Sequence, residues 1–405
     1  MMEVNKIICG DNVEVMKTFP DNHFSSIVTD PPYGLKFMGK KWDYEVPSVE
    51  TWEEALRVLK PGGHLLSFGG TRTYHRMVCN IEDAGFEIMP MCGWLYGSGF
   101  PKSQNVGKMV DKIQGNEREE YLADIAYPDS DCWGVPNRNK GSKSTIWQEN
   151  GKELGQGGKV KRSKGNSPFE GFGTALKPAM EPICMARKPI EKGLTIAGNC
   201  LKWGTGGLNI DECRVGTDEI KEATQEGGGK FAMWNKDGDN KGFIRHNGNG
   251  TSNPQGRFPA NLIIDDSECV KALFPDTKQG KASDYNWESS PNASIPAGCA
   301  GGTIKSGVHF GDSGSAARFF YCAKPSKLEK AKYNKHPTVK PISLMKYLIR
   351  LVTPPGGILL DNFSGSGSTL VAVIEEGFEY VGIDEDPESC KTANQRILNA
   401  QPQLF

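Results

Sequence analysis

The sequence predicts an α/β protein built on a mostly parallel sheet. Two observations point there. Short apolar runs alternate with helical spacing over residues 6–96 and again over 342–399, the rhythm of parallel strands joined by crossover helices. The second stretch also carries a strand, a Gly-rich turn, a helix, another strand and an acidic residue, in that order. That is the layout of a nucleotide-binding βαβ unit.

Taken in order, Lys6–Cys9 reads as a strand stopped by Gly10-Asp11, and Asn12 can cap a helix over Val13–Phe19. A turn at Pro20-Asp21-Asn22 leads to the β-type run Ser25–Thr29, followed by Asp30-Pro31-Pro32-Tyr33-Gly34. Two prolines fix φ and remove two backbone donors, so the chain must leave the sheet as a rigid, extended loop. Open α/β sheets place their chemistry in such loops, at the carboxyl ends of strands. A carboxylate, free carbonyl acceptors and an aromatic ring can together hold a planar, amino-bearing ring. The same five residues also suit an ordinary strand-end turn. Residues 35–48, with Lys36, Lys40, Lys41 and Trp42, are polar and irregular, as a flap over the site would be. A helix over Thr51–Leu59 is expected to stop at Lys60-Pro61-Gly62-Gly63. His64–Phe68 then reads as a buried strand, Thr71–Ala84 as a helix ended by Gly85, and Phe86–Tyr96 as a long strand.

The rhythm fails after Gly97. Between Arg138 and Lys164 eight basic residues stand against two acidic ones, with Trp133, Trp147 and Phe169 in or beside the run. Such a run is either a solvated loop or a phosphate-backbone contact with aromatic interleaving. Pro182–Ala186 reads as one more core strand. Residues 191–324 hold short elements, such as Asn261–Ile264 and Phe319–Ala323, between Gly- and Asn-rich links. Trp203, Trp234 and Phe258 are expected in the core of that region.

Order returns near His336. His336-Pro337-Thr338-Val339-Lys340-Pro341 precedes a helix over Ile342–Val352 with Pro341 at its first position. Ile358–Asp361 is a buried strand, and Phe363-Ser364-Gly365-Ser366-Gly367-Ser368-Thr369 opens a helix running to Glu376. Tyr380–Ile383 is a strand ending at Asp384, and 387–399 is helical. Gly365 and Gly367 allow a tight turn and close approach to a ligand, and Asp384, 19 residues after Gly365, is placed to reach a ribose hydroxyl. Leu370 stands where a dinucleotide fingerprint has its third glycine, and no GxxxxGK[ST] occurs, so a single nucleoside-type cofactor fits better than NAD, FAD or a P-loop nucleotide.

Composition narrows the class further. The 405 residues carry a net charge of −1, so contact with nucleic acid has to come from a local patch. Eleven cysteines without metal-site spacing suggest reduced, packed thiols and no metal. No apolar run approaches membrane-spanning length and the start lacks a signal-peptide core, which sets the expectation of a cytoplasmic protein with no membrane partner.

DPPYG near the amino end, then HPTVKP, then DNFSGSGST near the carboxyl end resembles the amino-group DNA methyltransferases in their circularly permuted β arrangement. The phrases GWLYGSGFPKS (93–103), TALKPAMEPICMARKP (174–189) and ARFFYCAKPSK (317–327) resemble a subgroup common in phages and mobile elements. The resemblance covers 1–103, 174–189 and 317–405. It implies a Rossmann-like S-adenosylmethionine-dependent methyltransferase sheet, circularly permuted, with a large inserted target-recognition region. The organisation implied is a DPPYG half at 1–100, a basic DNA-facing insertion at 101–173 and a core strand at 174–190. A target-recognition region at 191–324 and a cofactor half at 325–405 follow.

The resemblance also implies roles. Asp30, Pro31, Pro32 and Tyr33 would form the catalytic tetrapeptide, Asp30 and the Pro31 carbonyl accepting the hydrogens of the target amine and Tyr33 stacking on the base, and Asp30 would also border the cofactor. Asp361, Phe363, Gly365 and Gly367 would shape the cofactor loop, Asp384 would bind the ribose, Thr338 and Lys340 would reach the methionine carboxylate, and Asp11 would lie near the cofactor adenine. Asn362 departs from the family's usual proline. Asp in the first tetrapeptide position favours adenine N6 over cytosine N4. A cytosine-N4 enzyme, a DNA-recognition module without turnover and a protein glutamine methyltransferase stand as alternatives. The partner implied is double-stranded DNA at the nucleoid, approached by base flipping, with a homodimer among the expectations and no fused nuclease.

Overall fold

The computed structural model describes residues 4–35, 43–97, 99, 103–124, 159–216, 230–233, 244–247, 256–278, 285–287, 302–304, 313–323 and 339–400. Within these, ten strands form one sheet. In chain order they are β1 (Lys6–Cys9), β2 (Phe24–Thr29), β3 (Leu59–Phe68), β4 (Glu87–Ile88), β5 (Cys92–Leu95), β6 (Met180–Arg187), β7 (Leu262–Asp265), β8 (Tyr321–Ala323), β9 (Ile358–Asp361) and β10 (Glu379–Asp384). Their spatial order is β1-β10-β9-β2-β3-β6-β5-β7-β8, with β4 beside β6. The run from β1 to β3 is parallel. β6 is antiparallel to both β3 and β5. The two carboxyl-terminal strands thus sit between β1 and β2, a Rossmann-like sheet whose chain order is circularly permuted.

The centre of the sheet is buried on both faces. All six residues of β2 are buried, as are Leu359 and Leu360 of β9. Four helices supply much of the cover: α1 (Asn12–Lys17), α2 (Val49–Val58), α3 (Tyr74–Asp83) and α6 (Ile342–Val352), the last numbered after α4 (Val106–Gln114) and α5 (Ile196–Trp203). Met16, Trp52, Ala55, Met77 and Ile81 from the first three pack with Phe24, Ile27, Leu65 and Leu360 in one cluster. Leu344, Met345, Leu348, Ile349 and Val352 of α6 are buried, at the helical spacing read from the sequence.

Several boundaries differ from the sequence reading, each for a local reason. Asp11, not Asn12, caps α1, its carboxylate accepting from Glu14 N at 3.0 Å. Lys60-Pro61-Gly62-Gly63 does not break the chain but lies inside β3. Asn199 of α5 makes this tolerable: its amide donates to the Pro61 carbonyl at 2.8 Å and sits where a side chain on Gly62, at φ +76°, would stand. The long strand expected over 86–96 is two short ones, β4 and β5, on either side of Pro90. Pro341 is the N-cap of α6 rather than its first helical residue. Phe258 is not core: it is 65% exposed, with the Arg214 guanidinium 5.8 Å from its ring. Trp203 is half-buried and donates to Glu191 at 2.6 Å, and Trp234 lies outside the described residues.

Of the basic run, 138–158 lies outside the described residues. Lys159–Lys164 is a strand paired antiparallel with Glu119–Asp124. Arg118 fastens this hairpin to α4 by pairing with the buried Asp111 and with Glu170. The contacts divide the chain into two units: Met1–Asn209 with Asn261–Leu273 and Cys322–Phe405, and Ile210–Ala260 with Phe274–Tyr321. β7, from within the 191–324 stretch, pairs in parallel with β5 and belongs to the sheet. The second unit contains small antiparallel hairpins, such as Lys230–Met233 with Ile244–Asn247. Among the described residues no helix is long and apolar enough to cross a membrane.

The helix after the Gly-rich loop, α7 (Ser368–Glu376), lies close on β10. Leu370 is fully buried there, and a Cβ on Gly382 of β10 would collide with it. The close helix–strand approach that a third loop glycine gives dinucleotide sites is supplied here from the strand side. Gly382→Ala is expected to lower stability by about 1–3 kcal/mol, the range for overpacking a tight core. Urea unfolding measures this, and an unchanged midpoint would show that Leu370 has room to move.

Candidate active site

β9 and β2 are neighbours and parallel, so their carboxyl ends share one edge of the sheet. On one side of them the order runs to β10 and β1, on the other to β3. This is a topological switch point, where loops diverge and leave a crevice. The DPPYG loop leaves β2 here and the Gly-rich loop leaves β9. Thr29 Oγ1 donates to Asp361 Oδ1 at 2.7 Å and ties the two strand ends together.

A cleft of about 1000 Å³ opens at this edge. Its walls include Asp30, Pro31, Pro32 and Tyr33 from one loop and Asp361, Phe363 and Gly365 from the other. Asp11, Lys340 and Asp384 also reach it. Gly367 lies one step behind, at φ +78°, where a Cβ would press 2.8 Å from that of Ala393, so it shapes the loop rather than lining the cleft. Thr338 lies outside the described residues.

Each loop is held from behind. Asp43 is buried, and its carboxylate accepts from the backbone N–H groups of Tyr33 (2.7 Å), Gly34 (3.0 Å) and Leu35 (3.2 Å). Thr73 donates to the Tyr33 carbonyl. Gly34 itself turns at φ +66°. The flap residues Lys36, Lys40, Lys41 and Trp42 lie outside the described residues; from the same stretch Leu35, Asp43, Glu45, Val46 and Pro47 line the cleft. In the Gly-rich loop, Gly365 N donates to Asp384 Oδ2 at 2.7 Å, and Ser364 N to the Ile383 carbonyl at 2.9 Å. Arg396, buried on the last helix α8 (Pro387–Ala400), donates to the Ser366 carbonyl at 2.8 Å and to Ser368 Oγ at 3.0 Å.

The DPPYG loop carries a dense charge cluster. Lys340 Nζ lies 2.7 Å from Asp30 Oδ2, 3.1 Å from Glu181 Oε2 and 3.1 Å from the Tyr33 hydroxyl. The Tyr33 hydroxyl donates to Asp30 Oδ1 at 2.7 Å and reaches Glu181 Oε2 at 3.3 Å. Burial alone would lower the Lys340 pKa, but the Asp30 and Glu181 carboxylates overcome this and hold it above its ordinary value. Burial, then the same two carboxylates, pushes the Tyr33 phenol well above its usual range, so it stays a donor. Lys340 also stands 4.8 Å from the Phe68 ring centroid.

Sequence reasoning missed Glu181, Asp43, Trp94 and Tyr96, all of which line the cleft. Glu181 lay inside the quoted phrase TALKPAMEPICMARKP, where a carboxylate at the head of an apolar strand was the available signal. Asp43 had none, since its role lies in its contacts with the backbone N–H groups of Tyr33, Gly34 and Leu35.

The cleft suits S-adenosylmethionine. Its lining combines the Asp384 carboxylate, the Phe363 ring and the backbone around Gly365, a set of polar acceptors and apolar surface that fits a nucleoside-type molecule. Asn362, where the family usually has proline, is fully buried and its side-chain amide has no hydrogen-bond partner. Its carbonyl accepts from Asn12 at 3.5 Å.

Burial pushes the Asp361 carboxyl up to about 7, against the downward pull of Thr369, Thr29 and Phe363 N–H. Its unfolded value is 3.8, so the folded chain holds this proton more tightly. The resulting stability is fully present below about 4 and is lost as pH rises through about 7. Asp361→Asn keeps the shape and cannot ionise. In unfolding measurements at pH 5 and pH 8, its stability relative to the parent chain should rise with pH. A constant difference would mean that Asp361 is ionised throughout.

A family model described as DNA methylase matches residues 24–395. Among curated proteins, the type II methyltransferase M.HpaI of Haemophilus parainfluenzae is 32% identical over 157 residues, 35% of this chain and 50% of that protein. The DNA adenine methyltransferase YhdJ of Escherichia coli is 38% identical over 65 residues, 16% of this chain and 22% of its own length. The chain therefore spans half or less of the curated relatives' length. Among solved structures, PvuII DNA methyltransferase (cytosine-N4-specific) aligns with a TM-score of 0.43 and 13% identity, over 100% of this chain and 92% of its own. The M1.HpyAVI–SAM complex aligns with a TM-score of 0.39 and 14% identity, over 97% of this chain and 98% of its own.

Proposed function

The chain belongs to the DNA methylase family of N6/N4 amino-methyltransferases, and on that premise we propose that it methylates the exocyclic amine of a base in DNA, adenine N6, with S-adenosylmethionine as donor. One observation carries this. The Asp30 loop and the Gly-rich loop leave neighbouring parallel strands at the same edge and face one cleft.

An exocyclic amine is a poor nucleophile because its lone pair is delocalised into the ring. The Asp30 carboxylate and the Pro31 carbonyl accept its two hydrogens, which favours a pyramidal nitrogen. Holding that nitrogen in line with the methyl group supplies proximity. Bound S-adenosylmethionine supplies an electrophilic methyl group on a sulfonium. On transfer of that methyl group from sulfur the nitrogen would shed a proton, which Asp30 or water would take. Asp384 would hold the donor's ribose, while Asp30 holds the amine that receives the methyl group. A base inside a duplex cannot enter this cleft, so the target is flipped, and the Tyr33 ring offsets part of an unstacking cost of a few kcal/mol. The basic strand Lys159–Lys164 exposes Arg162 and Lys164, as a phosphate contact would.

Asp30 at the first position of the tetrapeptide favours adenine, and one relative is named a DNA adenine methyltransferase. With labelled S-adenosylmethionine and unmethylated genomic DNA, nucleoside analysis should find the label in N6-methyladenine. Label in N4-methylcytosine would replace adenine with cytosine, and label in no DNA would overturn the activity.

A further inference from the structure

We propose that Glu181 is a positioning residue for methyl transfer: it shares the Lys340 ammonium with Asp30 and so keeps Asp30 a strong acceptor for the target amine. This rests on the proposed function and deepens it.

The sheet explains how a carboxylate from a distant stretch reaches the site. Because β6 runs antiparallel, its first residues emerge at the edge where β2, β3 and β9 end. Ile183 pairs with Phe68, the last residue of β3, and Glu181 lies beyond it, opposite Trp94. There it touches both groups that touch Asp30. Its Oε2 lies 3.1 Å from Lys340 Nζ and 3.3 Å from the Tyr33 hydroxyl.

Asp30 already has one partner on each oxygen: Tyr33 on Oδ1 and Lys340 on Oδ2, both at 2.7 Å. It must still accept a hydrogen from a weakly acidic amine. An ammonium paired with Asp30 alone would neutralise that carboxylate and weaken it as an acceptor. With Glu181 present, two carboxylates and one ammonium leave the cluster with net negative charge. That charge stabilises a nitrogen becoming positive as it gains a methyl group. Lys340 in turn keeps the two carboxylates from repelling each other, since both are largely withdrawn from solvent.

The test compares Glu181→Gln and Glu181→Asp with the full chain, then repeats Glu181→Gln in a Lys340→Met background. Each variant's melting and cofactor affinity are measured beside its single-turnover rate on DNA. Glu181→Gln should lower the rate roughly tenfold, within the range of couplings between contacting charges. Cofactor affinity and the KM for DNA should stay within about twofold. Glu181→Asp should recover part of the rate, and in the Lys340→Met background Glu181→Gln should change it by less than about twofold. An equal loss in both backgrounds, an effect on KM alone, or no rescue by Asp would overturn the proposal. If Lys340→Met is inert, the Gln and Asp variants decide alone. A full chain that transfers no methyl group to DNA overturns the proposed function and this inference together. An active chain indifferent to Glu181→Gln overturns the inference only.

Discussion

The pairing of β2 with β9 is the constraint on which the rest of the site depends. Ser26 meets Leu359 and Ile27 meets Leu360, joining strands more than 330 residues apart in the chain. Closing so long a loop costs entropy that only burial recovers, and both strands are fully enclosed at their centres. Parallel pairing then has a geometric consequence. Both strands end at the same edge, so the carboxylate loop and the glycine loop must open side by side. Thr29 and Asp361 fix the distance between them with one buried hydrogen bond. A permuted chain order leaves this unchanged, because the cleft depends on which strands are neighbours and not on which comes first.

Behind that edge the structure spends polar groups freely. Asp43, Asp361, Lys340 and Arg396 are all buried or nearly so. Burying a charge is costly unless it is paired and hydrogen-bonded. Asp43 has three backbone donors, Arg396 has the serines of the loop, and Lys340 has two carboxylates. These contacts hold two loops that have almost no regular backbone bonding of their own. The same enclosure strengthens the electrostatics at Asp30, since charges withdrawn from water act on one another with less screening.

Much of this was legible in the sequence, for identifiable reasons. The strand–helix rhythm gave the α/β class, and the Gly365–Asp384 spacing marked a loop and a strand end that meet at the cleft. Asp384 accepts from Gly365 N there. Double proline marked the loop that leaves β2 because it forbids regular pairing there. What the sequence hid depends on contacts between distant residues. Lys60-Pro61-Gly62-Gly63 looked like a breaker because Asn199, which satisfies it, lies about 140 residues away. Phe258 looked like core because composition does not distinguish a buried ring from an exposed one beside an arginine. Glu181 was seen only as part of a phrase, because antiparallel insertion of β6 cannot be read from periodicity.

The central claim is that Asp30 serves the transfer step while the glycine loop and Asp384 serve cofactor binding. Paired measurements on Asp30→Ala test it directly: cofactor affinity by calorimetry and methyl transfer to DNA at saturating cofactor. Binding should stay close to that of the full chain, whereas transfer should fall by about 10²–10³, the loss typical when one preorganised hydrogen-bonding group is removed from a reacting centre. Transfer that survives at its original rate would contradict the account.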